Sequence, residues 1–405
     1  MNVEVDAKAA GFDEGRLERI TTHLERRYLE PGKIAGCQVT VERGGHVAYH
    51  RSFGRRDLEA DQPVTQDTIW RIYSMTKPIT GVALLHLYEH GHFQLDDPVH
   101  RFLPQWRDLK VRERGPDGER RLVEPHRPMT IRDLLMHTSG LGYEGRGPAI
   151  LGSDPDLPGN QPGATLDTVI DWLADRPLHS HPGERWRYSV ATDICGRLVE
   201  LISGRPFDQY LQEEIFEPLG MVDTAFHVPD EKLDRLAASY RRNSRKQLRL
   251  VESPQDSEYR TPPSYLSGGG GLVSTSADYL RFCRMLANGG ELGEARILGR
   301  HTVELMATNH LPGGVDLQEV ADGGFGETGF AGMGFGLTVA VAMGPARTGV
   351  LGSPGSYSWG GFASTIFWID PAEDLAVVFM TQLIPSGTFN FRDQLKSIVY
   401  PAIAD

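Results

Sequence analysis

The stretch IYSMTKPIT holds a serine and a lysine three residues apart, Ser74 and Lys77. On a helix this spacing turns the side chains by about 300° with a rise of about 4.5 Å, so both lie on one face. A serine hydroxyl becomes a strong nucleophile when a neighbouring base removes its proton, and a lysine is such a base when its pKa is lowered. The pair predicts either a nucleophile with its base or an ordinary helix start.

The residues around Ser74 favour the catalytic interpretation. Its apolar neighbours Ile72, Tyr73 and Ile79 would bury the lysine, and the positive end of the helix dipole would lower the lysine pKa further. The backbone N–H of Ser74 falls at the helix start, where it is available to bind an oxyanion. No other Ser-x-x-Lys occurs in the 405 residues.

A second candidate is Tyr188 in HPGERWRYSVATD, which follows a Pro-Gly turn and precedes a predicted helix. A tyrosine beside a serine–lysine pair can act as a general base or as the acid for the leaving group. The alternative interpretation is a half-buried tyrosine with a structural role.

A third candidate is the stretch GSYSWGGFASTIFWID, in which Trp359, Gly360 and Gly361 are predicted to open an apolar strand. Adjacent glycines at a strand start allow a ligand or another backbone to approach closely. The strand edge beyond them would offer a second oxyanion N–H, that of Phe362. The alternative is a β-bulge beside a packed tryptophan.

The hydrophobic pattern predicts which elements position these residues. Alternating residues on both sides of Gly44-Gly45 predict a β-hairpin near the N-terminus, and strands are also predicted near the C-terminus. The polar stretch 240–263 is predicted to be an exposed loop. Helices are predicted at 13–28, from Ser74 to near Gly91, at 130–136, 166–175, 191–203, 207–216, 278–286 and 389–399, and strands at 37–42, 46–50, 334–343, 359–370 and 375–383.

Sequential hairpins indicate antiparallel pairing, so we predict an α+β fold in which both chain ends build one antiparallel sheet flanked by helices. Residues 1–95 and 265–405 are assigned to this α/β domain, which carries Ser74 and the Trp-Gly-Gly strand. Residues 96–264 are assigned to an inserted, mostly helical domain that carries Tyr188. The active site is expected in the cleft between the two.

Composition excludes several other classes of function. The net charge of −12 lacks the basic footprint of a nucleic-acid-binding protein. Three well-separated cysteines give neither a disulfide framework nor a zinc-binding spacing, which fits a reducing compartment. An N-terminus with early acids and without an apolar stretch predicts no signal peptide, and no apolar run is long enough to span a membrane. We therefore expect a cytoplasmic protein without membrane or nucleic-acid partners.

Competing catalytic motifs are weaker. The Gly-x-Ser-x-Gly of α/β-hydrolases is absent. The stretch HLYEH, with His86, Glu89 and His90, fits a zinc-protease pattern, but it lies at a predicted exposed helix end. Gly268–Gly271 lacks the Lys-Ser/Thr of a phosphate-binding loop, so we interpret it as a turn that lets backbone approach the site. A structural role is expected for His137 in MHTSGL, and a core or capping role for Asp193 and Cys195.

Taken in order, Ser-x-x-Lys, Tyr-Ser-x and Trp-Gly-Gly resemble the motifs of serine β-lactamases and penicillin-binding proteins. More specifically, the chain resembles the class C β-lactamase-related esterases, the family VIII carboxylesterases, from about residue 13 to its end. The blocks that carry the resemblance are TIWRIYSMTKPITGVALLHLYEHGHFQLDDPVHRFLP, MTIRDLLMHTSGL, PGERWRYSVATDICGRLVE and GGGGLVSTSADYLRF.

The resemblance implies a β-lactamase/transpeptidase-like fold in which Ser74 is the acylated nucleophile. Lys77 would be the base or proton shuttle beside it, and Tyr188 would share the proton transfers. The backbone N–H groups of Ser74 and Phe362 would form the oxyanion hole. The residues expected to line the substrate site are Tyr73, Val190, Trp359, Gly360 and Gly361.

Two departures from the β-lactamase pattern narrow the expected substrate. Val190 stands where lactamases carry an asparagine that contacts the substrate amide, and Trp359 stands where they carry a lysine that attracts the substrate carboxylate. We therefore expect hydrolysis of short-chain carboxylic esters, with weak β-lactam cleavage as a side activity and no metal or organic cofactor. The alternatives are an acyltransferase or an amide or β-lactam hydrolase of the same fold, and a non-catalytic binding or scaffold member.

Overall fold

The computed structural model describes residues 4–143, 163–322 and 327–404, so part of the predicted insertion, 144–162, lies outside the described residues. The strands are β1 Gly36–Arg43, β2 His46–Asp57, β3 Gln62–Pro63, β4 Trp70–Arg71, β5 Val111–Arg114, β6 Arg120–Val123, β7 Ser239–Arg242, β8 Leu248–Glu252, β9 Val273–Ser274, β10 Glu291–Leu292, β11 Ala295–Arg296, β12 Met333–Phe335, β13 Ala340–Ala342, β14 Tyr357–Gly360, β15 Ile366–Asp370, β16 Leu375–Thr381 and β17 Leu383–Ile384. The α-helices are α1 Glu14–Leu17, α2 Arg19–Leu24, α3 Thr76–Glu89, α4 Ile131–Leu135, α5 Leu166–Ala174, α6 Ala191–Ser203, α7 Phe207–Leu211, α8 Glu217–Leu219, α9 Ser276–Ala287, α10 Arg300–Met306, α11 Leu317–Val320, α12 Pro345–Thr348 and α13 Phe391–Val399.

One large antiparallel sheet joins the two ends of the chain. Among the described residues it contains eight strands in the order β12-β13-β14-β15-β16-β1-β2-β3. The N-terminal hairpin pairs Gly36–Arg43 with His46–Asp57, and its first strand also pairs with β16 near the C-terminus. The predicted α+β fold with an antiparallel sheet is confirmed. The predicted domain limits remain a prediction.

Helices cover both faces of this sheet because its strands alternate apolar residues between the two faces. On one face, Val39, Val377 and Trp368 belong to a core shared with α1, α2 and α13. On the other face, Phe367 and Val378 join a larger core that includes α3, α6 and α9. None of the helices of the described residues combines the length and apolar composition needed to cross a bilayer.

Helix α3 lies inside the larger core and carries Lys77 on its first turn. Its residues from Thr76 to Leu85 are all buried, so neighbouring elements surround it. Pro78 is tolerated because it falls in the first turn, where a backbone N–H has no partner within the helix. The helix ends before Gly91, whose φ of +77° is readily adopted only by glycine. A buried helix of this kind fixes the lysine rigidly relative to the sheet.

Two predicted strands were wrong in detail. The predicted strand 359–370 is two antiparallel strands, so Trp359 and Gly360 end β14 instead of opening a strand. The turn that follows is closed by the Gly361 N–H donating to the Thr365 carbonyl at 2.8 Å. The predicted strand 334–343 is likewise a hairpin, with Thr338 at φ +72° between β12 and β13.

The predicted loop 240–263 contains most of a hairpin instead. Its strands β7 and β8 pair antiparallel, and β7 also pairs in parallel with β17 from the C-terminal part of the chain. The turn places Lys246 at φ +62°. This hairpin is short and mostly exposed, so charged residues are common in it. Because its strands lack an apolar alternation, the sequence pattern did not predict them.

Candidate active site

Ser74 lies in a tight turn, Tyr73–Met75, that leads directly into α3. Tyr73 has a φ of +42°, a left-handed conformation that costs a non-glycine residue roughly 1–3 kcal/mol. Backbone hydrogen bonds fix the turn, since the Ile72 N–H donates to the Leu272 carbonyl at 3.1 Å and the Met75 N–H donates to the Ile72 carbonyl at 3.0 Å. A strained residue immediately before Ser74 therefore sets the direction of its hydroxyl.

Lys77, from the same turn, and Tyr188, from a distant part of the chain, both meet Ser74 Oγ. Lys77 Nζ lies 3.3 Å from Ser74 Oγ, and the Tyr188 hydroxyl donates to the same oxygen at 2.7 Å. All three side chains are buried, with Ser74 and Tyr188 each 9% exposed and Lys77 1% exposed. The structure therefore brings together the serine, lysine and tyrosine that the sequence singled out, within direct proton-transfer reach.

Lys77 has two further partners besides the serine. Its Nζ donates to the Gly269 carbonyl at 2.6 Å and to the Tyr143 hydroxyl at 3.3 Å. Burial lowers the pKa of Lys77 to about 8, while the charges of Asp193 and Glu327 act in the opposite direction. About one tenth of this lysine is therefore an uncharged amine at pH 7, far more than for an ordinary lysine.

Tyr188 is held by aromatic neighbours in the loop just before α6. Its ring packs 5.0 Å from His137, 5.6 Å from Trp359 and 6.1 Å from Trp186. Burial, together with the charge of Glu327, raises the pKa of Tyr188 well above its usual value, so its hydroxyl keeps its proton at neutral pH. His137 binds Ser189 Oγ through Nδ1 at 3.1 Å, which fits the structural role predicted for it.

Asp193 holds the glycine-rich turn that faces Lys77. Its Oδ1 accepts hydrogen bonds from Ser267 Oγ at 2.6 Å and from the Gly269 N–H at 3.1 Å. The turn approaches closely, because a Cβ on Gly268 would lie only 2.6 Å from the Thr192 carbonyl oxygen. Asp193 was predicted to be a core or capping residue, whereas its carboxylate holds the Gly269 peptide whose carbonyl binds the lysine.

The two backbone segments expected to form the oxyanion hole lie against each other. A Cβ on Gly361 would sit 2.3 Å from the Ile72 carbonyl oxygen, so only glycine permits this approach. One residue further on, the rings of Tyr73 and Phe362 pack edge to face with centroids 6.1 Å apart. This contact places the backbone of residue 362 beside the turn that carries Ser74. Assignment of the Ser74 and Phe362 N–H groups to an oxyanion remains a prediction.

Comparison with known proteins agrees with this geometry. The family model described as Beta-lactamase matches residues 21–396, which include the turn at Ser74, the loop at Tyr188 and β14. The chain belongs to the β-lactamase family.

Individual relatives span nearly the whole chain. Protein Rv1367c of Mycobacterium tuberculosis is 34% identical over 365 residues, covering 89% of this chain and 88% of the relative. Esterase EstB of Burkholderia gladioli is 31% identical over 407 residues, covering 95% of each chain. The solved structure of EstCE1, described as a hydrolase with promiscuous acyltransferase activity, superposes with a TM-score of 0.78 and 25% identity, covering 97% of this chain and 99% of that one.

Within this β-lactamase family member, the residues expected to line the substrate site occupy different environments. Trp359 is fully buried and packs against Tyr188 and Phe335, with centroids 5.6 and 5.4 Å apart. Val190 is buried at the start of α6. Trp359 thus packs against the ring of Tyr188 and helps to hold it in place. Substrate contact by these two residues, and by Tyr73, Gly360 and Gly361, remains a prediction.

In HLYEH, the stretch that fits a zinc-protease pattern, two side chains form hydrogen bonds to neighbouring elements. His86 Nδ1 binds the Tyr210 hydroxyl at 2.7 Å, and Glu89 Oε1 accepts the Gly299 N–H at 2.7 Å. These bonds tie α3 to α7 and to the loop before α10. The side chains therefore join neighbouring elements in the way expected of structural residues.

Another group with metal-ligand chemistry is Glu113, His126 and His181. His181 Nε2 lies 2.7 Å from Glu113 Oε1, and its Nδ1 accepts the backbone N–H of His126 at 3.2 Å. Nε2 therefore carries the ring proton and donates it to the carboxylate, which removes the lone pair that a metal would need. The two imidazole rings stack face to face at 3.6 Å, so their in-plane nitrogens do not converge on one point.

Proposed function

We propose that this protein is a serine carboxylesterase that hydrolyses short-chain esters through an acyl-enzyme on Ser74. The observation that carries the proposal is that Ser74 Oγ lies within hydrogen-bond distance of both Lys77 Nζ and the Tyr188 hydroxyl. The esterase activity named for the 31% identical EstB supports the choice of substrate class. The expected substrate partner is a small-molecule ester.

Lys77 is the base in this proposal because its uncharged form can accept the Ser74 proton and still keep its other two contacts. A neutral amine has two N–H donors and one lone pair. The Gly269 carbonyl and the Tyr143 hydroxyl take the two N–H bonds, which leaves the lone pair for the Ser74 O–H. A pKa of about 8 makes this state a minor but accessible form at pH 7 and the major form above pH 8.

Acylation then follows from the positions of these groups. Lys77 takes the Ser74 proton while Oγ attacks the ester carbonyl carbon, and the backbone N–H groups of Ser74 and Phe362 stabilise the oxyanion. As the tetrahedral intermediate collapses, the ester C–O bond breaks. The leaving alkoxide oxygen takes a proton from the Tyr188 hydroxyl, which is replenished by protonated Lys77. Lys77 Nζ lies 4.6 Å from the Tyr188 ring centroid, so the two are neighbours.

Deacylation runs through the same groups in reverse roles. Water attacks the acyl carbon, gives its proton to the lysine–tyrosine pair, and Ser74 Oγ recovers a proton as the carboxylic acid leaves. An alcohol in place of water would give transesterification. The promiscuous acyltransferase activity named for EstCE1 supports acyl transfer as the second candidate function.

Neutral substrates are favoured by the residues that stand at two positions of the β-lactamase motifs. Trp359 and Val190 offer neither the positive charge nor the amide group that would bind an anionic lactam, and both side chains are buried and apolar in their surroundings. Slow β-lactam hydrolysis is retained as a side activity of the same acyl-enzyme chemistry.

A cytoplasmic location and the absence of nucleic-acid or membrane partners belong to the same proposal. The three cysteines are free and buried, as expected in a reducing compartment. The net charge of −12 disfavours binding to nucleic acid or to an anionic membrane surface.

The decisive experiment is Ser74→Ala, assayed with p-nitrophenyl acetate and butyrate. We expect turnover to vanish while the circular dichroism spectrum and melting temperature stay close to wild type. Ser276→Ala, a buried serine on α9 whose hydroxyl binds Thr40 at 2.8 Å, is the matched control and should retain turnover. Mass spectrometry should find a fluorophosphonate adduct on Ser74. Wild-type turnover in the Ser74→Ala protein would falsify the proposal.

The acyltransferase alternative has its own readout. Adding a short alcohol to the same assay partitions the acyl-enzyme between water and alcohol, and chromatography measures both products. We expect free acid to dominate. Transfer product in excess over free acid in dilute alcohol would favour the acyltransferase function on the same serine.

A further inference from the structure

The face of β14 that lies under α13 is polar where a helix-covered sheet face is normally apolar. Along β14, Tyr357 and Trp359 point into the larger core, so Ser358 points to the opposite face. Ser358 pairs with Trp368 of β15, which belongs to the core beneath α13. The small side chain of Ser358 leaves space between the strand and the helix.

That space is a cavity of about 70 Å³ between β14, α13 and the loops around α12. A single water needs roughly 10–15 Å³ of such volume, so the cavity can hold a polyatomic ligand. The acid Asp393 lies in its lining, and the hydrogen-bond donors that matter here are Ser356, Ser358, Arg392 and Lys396.

These four side chains offer hydrogen-bond donors that the described residues leave unused. The hydroxyls of Ser356 and Ser358 are each 2% exposed and have no partner among the described residues. Lys396 is 6% exposed, and its ammonium makes no hydrogen bond or ion pair within the described part of the chain. It lies 5.8 Å from the Trp368 ring centroid. One terminal N–H of Arg392 donates to the Glu327 carbonyl, while its buried Nε–H has no hydrogen-bond partner among the described residues.

The nearby acids form no direct ion pair with these two cations among the described residues, although the charges of Asp393 and Asp370 favour protonated Lys396. Asp370 Oδ2 accepts the Tyr400 hydroxyl at 2.6 Å and the Ser353 N–H at 2.9 Å. Asp393 accepts the Asn390 amide at 2.7 Å. Burial lowers the pKa of Lys396 to about 8, and the neighbouring Arg392 acts in the same direction. Glu327, the third acid, has a pKa raised by burial to about 7. An ammonium buried without a close counter-ion is unfavourable, and an anion would remove this cost.

We propose that this cavity is a binding site for a small oxyanion of the size and charge of inorganic phosphate, held by Lys396, Arg392 and the two serine hydroxyls. The serine hydroxyls on one side and the two cations of α13 on the other line the same cavity. A tetrahedral oxyanion has several acceptor oxygens and can bind donors on both sides. The site lies behind the strand whose other face carries Trp359. It is therefore separate from the ester pocket and does not depend on the proposed esterase activity.

Thermal unfolding in inorganic phosphate at constant ionic strength tests the proposal at pH 7. A ligand that binds only the folded chain raises the melting temperature in a saturable way. We expect such a rise for the wild type below about 10 mM phosphate, and its loss in Lys396→Met, which keeps a long apolar chain without the charge. Lys246→Met, on the exposed turn between β7 and β8, is the matched control and should keep the rise.

The double variant Ser356→Ala/Ser358→Ala provides a second test if Lys396→Met does not fold. It removes two hydroxyls without adding volume, and we expect it to fold and to lose most of the phosphate-dependent rise. An equal rise in the wild type and in the double variant would overturn the proposal. An equal effect of chloride, or the absence of a saturable phosphate effect in the wild type, would overturn it as well.

Discussion

The carboxylate of Asp193 accepts the backbone N–H of Gly269 at 3.1 Å, and the carbonyl of the same glycine accepts the Lys77 ammonium at 2.6 Å. One peptide segment thus links a buried acid to the proposed base. The acid acts on the lysine in two ways, because it positions the carbonyl and its negative charge raises the pKa of Lys77. Asp193 is therefore a positioning residue for Lys77.

The variant Asp193→Asn separates these two effects. The amide side chain keeps an oxygen for the Gly269 and Ser267 donors, so the turn should stay in place, whereas the negative charge is lost. The pKa of Lys77 should then fall below about 8, and the acid limb of the kcat/KM profile should move to lower pH.

The measurement is the pH dependence of kcat/KM for a p-nitrophenyl ester between pH 5 and 10. Asp278→Asn provides the control, since Asp278 is a buried acid on α9 that binds the Asp223 N–H and not the glycine turn. An unchanged acid limb in the Asp193→Asn protein would leave that residue with a purely structural role.

The wild-type pH profile itself tests the choice of Lys77 as base. In the proposed mechanism the lysine works as the free amine, so activity should rise with pH and level off above a pKa of about 8. The pKa of Tyr188 is raised, so this tyrosine cannot produce that limb in its place. An acid limb near pH 5 would indicate a carboxylate as the essential base and would contradict the assignment.

Two tyrosines contact the serine–lysine pair, and their phenylalanine variants should differ. Tyr188→Phe removes the donor to Ser74 Oγ and the proposed acid for the leaving group, so kcat should fall about 10²–10⁴-fold with little change in KM. Tyr143→Phe removes only one of the hydrogen bonds of Lys77, which is worth about tenfold or less. Steady-state kinetics of both variants decide the issue. Similar losses would show that Tyr188 has no special part in proton transfer.

Local patterns predicted the main elements because their signals lie within a few residues. The alternation around Gly44-Gly45 predicted the N-terminal hairpin, whereas the register shift between Val41 and Glu42 was not predicted. The turn between Gly361 and Thr365 was missed, because its left-handed residue is Ser364 rather than a glycine or asparagine. The stretch 359–370 therefore has the pattern of one continuous apolar strand.

The site was predictable to the extent that its residues share a motif. Ser74 and Lys77 are neighbours on one turn, and Tyr188 was found through a Pro-Gly turn followed by a helix. The Gly268–Gly271 turn was expected near the site, but the contacts of Gly269 and Tyr143 with Lys77 Nζ span 192 and 66 positions and arise from tertiary folding. No spacing rule reports such contacts.

The contact between Gly361 and Ile72 gives a test of the oxyanion hole that leaves every reactive side chain in place. In Gly361→Ala the new Cβ would meet both the Ile72 carbonyl oxygen and Thr365 Oγ1 at 2.3 Å, so the two backbone segments must move apart. A displaced Phe362 N–H should lower kcat about 10²–10³-fold, as loss of one oxyanion donor does.

Gly15→Ala, in α1 where the nearest atom to the new Cβ is 3.4 Å away, provides the control and should retain full activity. Circular dichroism and melting temperature establish that both variants fold, and steady-state kinetics with a p-nitrophenyl ester gives kcat. The fluorophosphonate adduct on Ser74 should still form in Gly361→Ala, but more slowly, because the phosphonyl oxygen uses the same N–H groups. If Gly361→Ala reacts and turns over at the wild-type rate, the second donor lies elsewhere than on β14 and the turn that follows it.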